Sequence, residues 1–243
     1  MDFSNIKKKF KESEFKGRIK SCYIKELTDE EKKTLVSRAI NDADPYKKTT
    51  LYKINKPDYQ IIIYKSVSRI CEKERTEEEF KDCYKKTINS LYDQIPELKM
   101  YKVGKMQKIV NMTLKYLYCF SDEKTEKYFK YCHMPLDSYI YEDWYLNDVI
   151  HRDIKKKDMP NCWSNIDNID GYFDIQSGIS KYINDIFSKK IGFELTPLQA
   201  EFYLWPYLKC RRAKKELEKQ YGKYYSDIDN SLKSDLAIKE YGE

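Results

Sequence analysis

The side chains that could do chemistry in this sequence gather between Lys99 and Asp137. Eight lysines, at 99, 102, 105, 108, 115, 124, 127 and 130, face only three acidic residues over 32 positions. The excess of +5 is nearly the whole chain's formal +6. A like-charged cluster repels itself, so its placement points to a polyanionic partner such as nucleic acid. Gly104, the only glycine between Gly17 and Gly171, sits inside the cluster. With seven glycines in 243 residues, one placed just before a periodic apolar helix marks a tight turn or a close approach. Val103-Gly104-Lys105 is therefore a candidate ligand-facing turn, with an ordinary helix-to-helix turn as the plainer reading. Asp137 stands where a helix N-cap would, ahead of Tyr139, Tyr141, Trp144 and Tyr145. Cys132-His133, with Cys162, is the nearest approach to a zinc set. With two histidines and no CxxC pair, neither a metal nor another cofactor is expected.

Helices must position these groups. Phe3, Ile6 and Phe10 recur at helical spacing within a polar segment, 3–20. Thr28-x-x-Glu31 and Thr76-x-x-Glu79 are capping boxes that open the next helices, carrying Leu35, Val36 and Ile40, and then Phe80, Tyr84, Ile88 and Leu91. Between them lies a loop over 41–57 and a helix from Asp58; Ile61 to Ile63 could be a short strand without a partner. After Gly104 comes the most periodic apolar stripe in the chain: Met106, Ile109, Val110, Thr113, Leu114, Leu117 and Tyr118. A short helix is expected over 122–132, a loop over 155–160, and a helix from Ile169 to Phe187 closed by Gly192 as a left-handed cap. Thr196-Pro197-Leu198-Gln199 is the best helix start, opening a helix to about Lys219 bent at Pro206. These elements make one mostly α-helical domain of eight to ten helices over residues 1–220, followed by a polar tail, 221–243.

Composition agrees with a folded, soluble chain: 41% hydrophobic and 35% charged. No apolar run approaches the ~18 residues of a membrane span and the lysine-rich start lacks a signal-peptide core, so no membrane partner and a cytoplasmic location are expected. The odd number of cysteines, seven, fits reduced, mostly buried thiols. Lysine outnumbers arginine 39 to 7, a bias that AT-rich coding produces, so the uneven distribution of charge says more than its total. Residues 131–174 carry nine acidic against four basic side chains, an acidic block after the basic one.

The order of a helix ending at a proline, a glycine turn, an apolar helix and an aspartate opening a further helix resembles the helix-hairpin-helix DNA glycosylases, including those with an 8-oxoguanine-glycosylase-like fold. In that family the hairpin amides hold a DNA phosphate, a lysine or a water attacks the sugar C1′, and an aspartate stabilises the positive sugar. The resemblance implies that Lys102, Val103, Gly104, Lys105 and Lys108 contact nucleic acid. Val103-Gly104 looks like the end of the family's Gly-Val-Gly turn, with Asn111 along the following helix, and Asp137 in Pro135-Leu136-Asp137-Ser138 looks like the catalytic aspartate. Lys102 stands where the first hairpin glycine would be. Met106 stands where the reactive lysine would be, which leaves Lys105 and Lys108 on either side as its substitutes. One extra short helix separates the turn from Asp137.

The chemistry would suit such residues. Releasing a base builds positive charge on the sugar, and a carboxylate beside it lowers the barrier, while aromatic faces can hold a base taken out of the stack. No G-x-S-x-G or Walker-type loop offers a rival chemistry, and the basic run Lys209 to Lys219 could reach phosphates or form a solvated helix face. Three classes follow: a DNA N-glycosylase using Asp137 with Lys105 or Lys108, a non-catalytic nucleic-acid-binding protein that keeps the hairpin, and a protein-protein interaction module. Lys102, Lys105 and Lys108 on one surface would separate the first two from the third. A pocket holding Asp137 would separate the first from the second.

Overall fold

The computed structural model describes residues 3–44, 53–149 and 159–221. Among them no strand occurs; the elements are α1 (Phe3–Phe15), α2 (Asp29–Ala43), α3 (Pro57–Ser68), α4 (Glu77–Gln94), α5 (Val103–Tyr118), a π-helix (Ser138–Val149), α6 (Ile169–Tyr182), α7 (Ser188–Ile191) and α8 (Pro197–Tyr221). Ile61 to Ile63 belong to α3. The three helix starts written in the sequence form as reciprocal caps. The Glu31, Glu79 and Gln199 amides donate to Thr28, Thr76 and Thr196 Oγ1 at 3.2–3.3 Å, and each threonine amide donates back to the third residue's side chain at 2.8–2.9 Å. The first helix stops at Phe15, short of Lys20, and Gly17 two residues on has φ +73. Gly192 takes the expected left-handed cap at φ +81, closing α7, which continues α6 through a π turn over Ile183–Phe187. Apart from Tyr221 the expected tail lies outside the described residues, as do 45–52 and 155–158 of the expected loops, while 41–43, expected in a loop, complete α2.

The fold is wound around α5. All sixteen of its residues except Lys105 are buried, with α2, α3, α4, α6 and a 3-10 turn at Trp163–Asn165 packed around it. A helix enclosed on all sides is usually apolar all round. This one is not: Gln107, Lys108, Asn111, Thr113 and Lys115 are buried with the stripe. Each must therefore find a partner within the protein, because an unpaired buried polar group costs about 1–3 kcal/mol.

Two glutamines illustrate how that demand shapes the chain. After the 3-10 turn Glu126–Phe129, residues 132–137 belong to no helix or strand. Gln107 Nε2 donates to the Leu136 carbonyl (2.8 Å) while its Oε1 accepts from the Leu136 amide (3.1 Å). Gln176 on α6 grips Met134 in the same way, at 2.8 and 3.2 Å. The two carboxamides satisfy main-chain groups that no helix or strand of this segment's own would pair. Just before them His133 is buried against the rings of Phe80, Tyr84, Tyr172 and Phe173, with Nδ1 2.8 Å from the Tyr172 hydroxyl. Burial, reinforced by the charge of Lys81, pushes its pKa down to about 3. The clamped segment ends at Asp137, which it delivers to the start of the π-helix.

Candidate functional site

Asp137 does cap a helix. Its Oδ1 accepts from the Ile140 amide at 3.0 Å and its carbonyl from the Tyr141 amide at 2.8 Å, although the helix that follows is π and not α. The other carboxylate oxygen accepts from Lys108 Nζ (2.8 Å) and from Trp205 Nε1 (2.9 Å) on α8. The Lys108 side chain is 4% exposed and that of Asp137 14%. Burial alone would push the Asp137 carboxyl up; the Lys108 ammonium and the three hydrogen bonds outweigh it and hold the group below its ordinary range, as a carboxylate. Two of the three residues expected to be catalytic thus meet, and each neutralises the other. Asp42 on α2 lies close enough to feel Lys108 as well. Desolvation raises its pKa, while the Tyr116 hydroxyl, Arg38 at 3.0 Å and Lys108 pull the other way. The result is an alternation of charge, Asp42, Lys108 and Asp137, across α2, α5 and the π-helix start.

Gly104 has a different use from the expected one. It is the second residue of α5, not a turn before it, and its φ is not positive. Its amide donates to the Ile166 carbonyl at 2.9 Å, and a Cβ there would lie 2.0 Å from the Trp163 carbonyl oxygen. Close approach is the reason for the glycine, and what approaches is the chain's own 3-10 turn. A phosphate could not take the same N–H in this arrangement. Val103 is buried beside it, while Lys102 is exposed as the N-cap residue. Lys105 is half-buried. Its Nζ donates to the Ala43 carbonyl (3.2 Å) and lies 4.7 Å from the Trp163 ring centre; burial lowers its pKa, partly offset by Asp44 and Cys162.

The basic block therefore does not form one surface. Lys115 is buried in an ion pair with Glu201 and lies 4.3 and 4.8 Å from the rings of Phe10 and Phe202. Lys127 pairs with Glu74 at 2.8 Å. The exposed Lys99 and Lys102 precede α5, while the exposed Lys124, Lys127 and Lys130 follow it, roughly 24 Å apart along a sixteen-residue helix. The acidic block is paired as well: Asp143 with Arg212 (2.5 Å), Asp148 with Arg211 (2.6 Å) and Asp170 with Lys85 (2.7 Å). Local counts of charge in the sequence describe pairs inside the molecule more than fields outside it.

Among the described residues, one cavity of about 280 Å³ is lined by Glu142, Leu146, Asn147, Met159 and Asn161. A second, of about 190 Å³, lies between α4 and the starts of α5 and α6, with Val103 in its wall. Neither contains Asp137 or Gly104. The Cys132-His133 pair faces the core, where the histidine is bonded to Tyr172. Cys71, Cys119 and Cys132 are buried, whereas Cys22 and Cys210 are exposed.

The partners that sequence reasoning missed are Trp205, Glu201, Gln107 and Gln176. The polar positions 107, 108, 111 and 115 carried a signal, because they recur at helical spacing on a helix otherwise apolar. Nothing local pointed to Trp205, 68 residues from Asp137. Together these elements define an all-α protein with a charged corner where α5, the π-helix and α8 meet. Compared with family models, curated proteins and solved structures, the chain matches none. Among the described residues no helix is long and apolar enough to cross a membrane.

Proposed function

We propose that this protein binds nucleic acid through phosphates and does no chemistry on it. The observation that carries the non-catalytic part is the Lys108–Asp137 contact at 2.8 Å. A carboxylate that stabilises a developing sugar cation must face the sugar, and an amine that attacks C1′ must be neutral and reachable. Here each group is held against the other, among buried neighbours. The nucleic-acid part rests on the net +6 and on the exposed lysines at both ends of α5, Lys99, Lys102, Lys124 and Lys130, and not on a shared surface of Lys102, Lys105 and Lys108, since Lys108 is buried. DNA is the expected form, from the resemblance to the hairpin glycosylases.

The same contact favours one second reading, in which the protein is a DNA N-glycosylase. The two groups that base release would need are already side by side, and Asp137 is already ionised. Catalysis would then require Trp205 and Lys108 to withdraw when a flipped base enters. The test is base release from a panel of damaged-base duplexes, by wild type and by Asp137→Asn, beside DNA binding by each. The non-catalytic reading expects binding without release from any lesion. Release by wild type that Asp137→Asn abolishes would establish the enzyme reading instead, and absence of binding at low salt would leave the interaction-module reading.

A further inference from the structure

The basic run on α8 has an architecture that the central block lacks. From 209 to 216 it carries five cations and one acid, and on the same side of the helix it meets half-buried aromatic rings. Trp205 is fixed by its Nε1 bond to Asp137, and the Tyr139 ring stands edge-on to it at 5.7 Å between centres. Lys209 Nζ lies 5.1 Å from the Trp205 ring centre, and the Arg212 guanidinium lies 4.0 Å from that of Tyr139. Arg212 is itself held by Asp143 and Ser138. The order along the strip is cation, ring, ring, cation.

Resting on the nucleic-acid reading above, we propose that this strip, Lys209–Trp205–Tyr139–Arg212, is the surface on which single-stranded nucleic acid stacks. Single strands are held by aromatic faces for the bases and cations for the phosphates, and both are present here within about two turns of α8 and the start of the π-helix beside it. Two features prepare it. The Asp137 bond fixes the tryptophan, so a base meets an ordered platform. Lys209 is exposed, so its flexible chain can leave the ring for a phosphate as a base takes its place. Duplex offers no exposed base faces to such a strip. The inference therefore names both a place and a strand form.

The experiment is a titration of the full chain with labelled oligothymidylate and oligouridylate of about twelve nucleotides, and with a duplex of equal length. Wild type is compared with Lys209→Glu, Trp205→Phe and, as a charge control on α3, a change at the exposed Lys65, Lys65→Glu. The strip predicts single-strand binding that Lys209→Glu weakens at least ~10-fold and that Lys65→Glu leaves nearly intact. It also predicts quenching of tryptophan emission that Trp205→Phe removes. Equal weakening by Lys209→Glu and Lys65→Glu, or a preference for duplex insensitive to both α8 variants, would overturn the strip while sparing nucleic-acid binding. No binding of any of the three probes at low salt would remove the reading on which it rests. The ratio between the two oligonucleotides tells DNA from RNA as the preferred source of the same chemistry.

Discussion

At the scale of single residues, two positions change meaning once their neighbours are known. Gly104 was legible as a place of close approach but not as one where the approaching group is the Trp163–Ile166 backbone. Gly104→Ala should therefore destabilise the fold by about 3 kcal/mol, the range of severe overpacking, and a melting or urea curve will read it. A variant as stable as wild type would show that the 3-10 turn yields easily. For Asp137 the capping geometry alone predicts that Asp137→Asn is nearly silent, since the amide oxygen still accepts from Ile140. The structure predicts otherwise, because Lys108 would remain charged and buried beside a neutral partner. A loss of about 3 kcal/mol is expected. Lys108→Met combined with Asp137→Asn should recover much of it, since replacing both members of a buried pair is often close to neutral. Additive losses in the double variant would count against the pair as the cause.

At the scale of elements, the segment 132–137 depends on its two glutamine clamps and on a neutral His133. A histidine whose pKa falls to about 3 in the fold, against about 6.5 in the unfolded chain, takes up protons preferentially when unfolded. Its contribution is therefore complete above about pH 6.5 and is lost as pH falls toward 3. Glu31 adds a later loss. Hydrogen bonding by Ser21 first, then by the Thr28, Ser21 and Lys20 amides, holds its carboxyl at about 2, so its contribution falls between about 4.5 and 2. Denaturant midpoints measured downward from pH 7 should decline before carboxylates titrate, and Glu31→Gln should flatten only the lower part. A midpoint constant from pH 6.5 to 5 would contradict the burial of His133 as described.

What could be read from the chain at this scale follows a physical divide. The capping boxes at Thr28, Thr76 and Thr196, the Gly192 cap and the stripe from Met106 to Tyr118 are local patterns, and each formed as written. The π-helix after Asp137 and the Gln107 and Gln176 clamps are not local. They arise because α5 is enclosed and its polar side chains must be satisfied by segments far away in sequence. The candidate site was legible to the same degree: Asp137 as a cap and Lys108 as a nearby charge were visible, but their mutual pairing and the hydrogen bond from Trp205 were not.

At the scale of the whole molecule, opposite charges are largely matched inside the fold. Lys108 with Asp137, Lys115 with Glu201, and the α8 arginines with the π-helix aspartates remove from solvent much of what the sequence counts as blocks. The remaining surface is mildly basic, with lysines at both ends of α5 and along α8. Binding that depends on such a surface must release counter-ions, so its affinity falls as a power of salt concentration. The most direct test of the account is the affinity of the intact protein for labelled DNA, single-stranded and duplex, at about 50 and about 200 mM salt. Non-catalytic phosphate binding should be measurable at the lower salt and weakened at least ~10-fold at the higher, with every base left on its sugar. Absence of binding at the lower salt, or binding indifferent to salt, would contradict it.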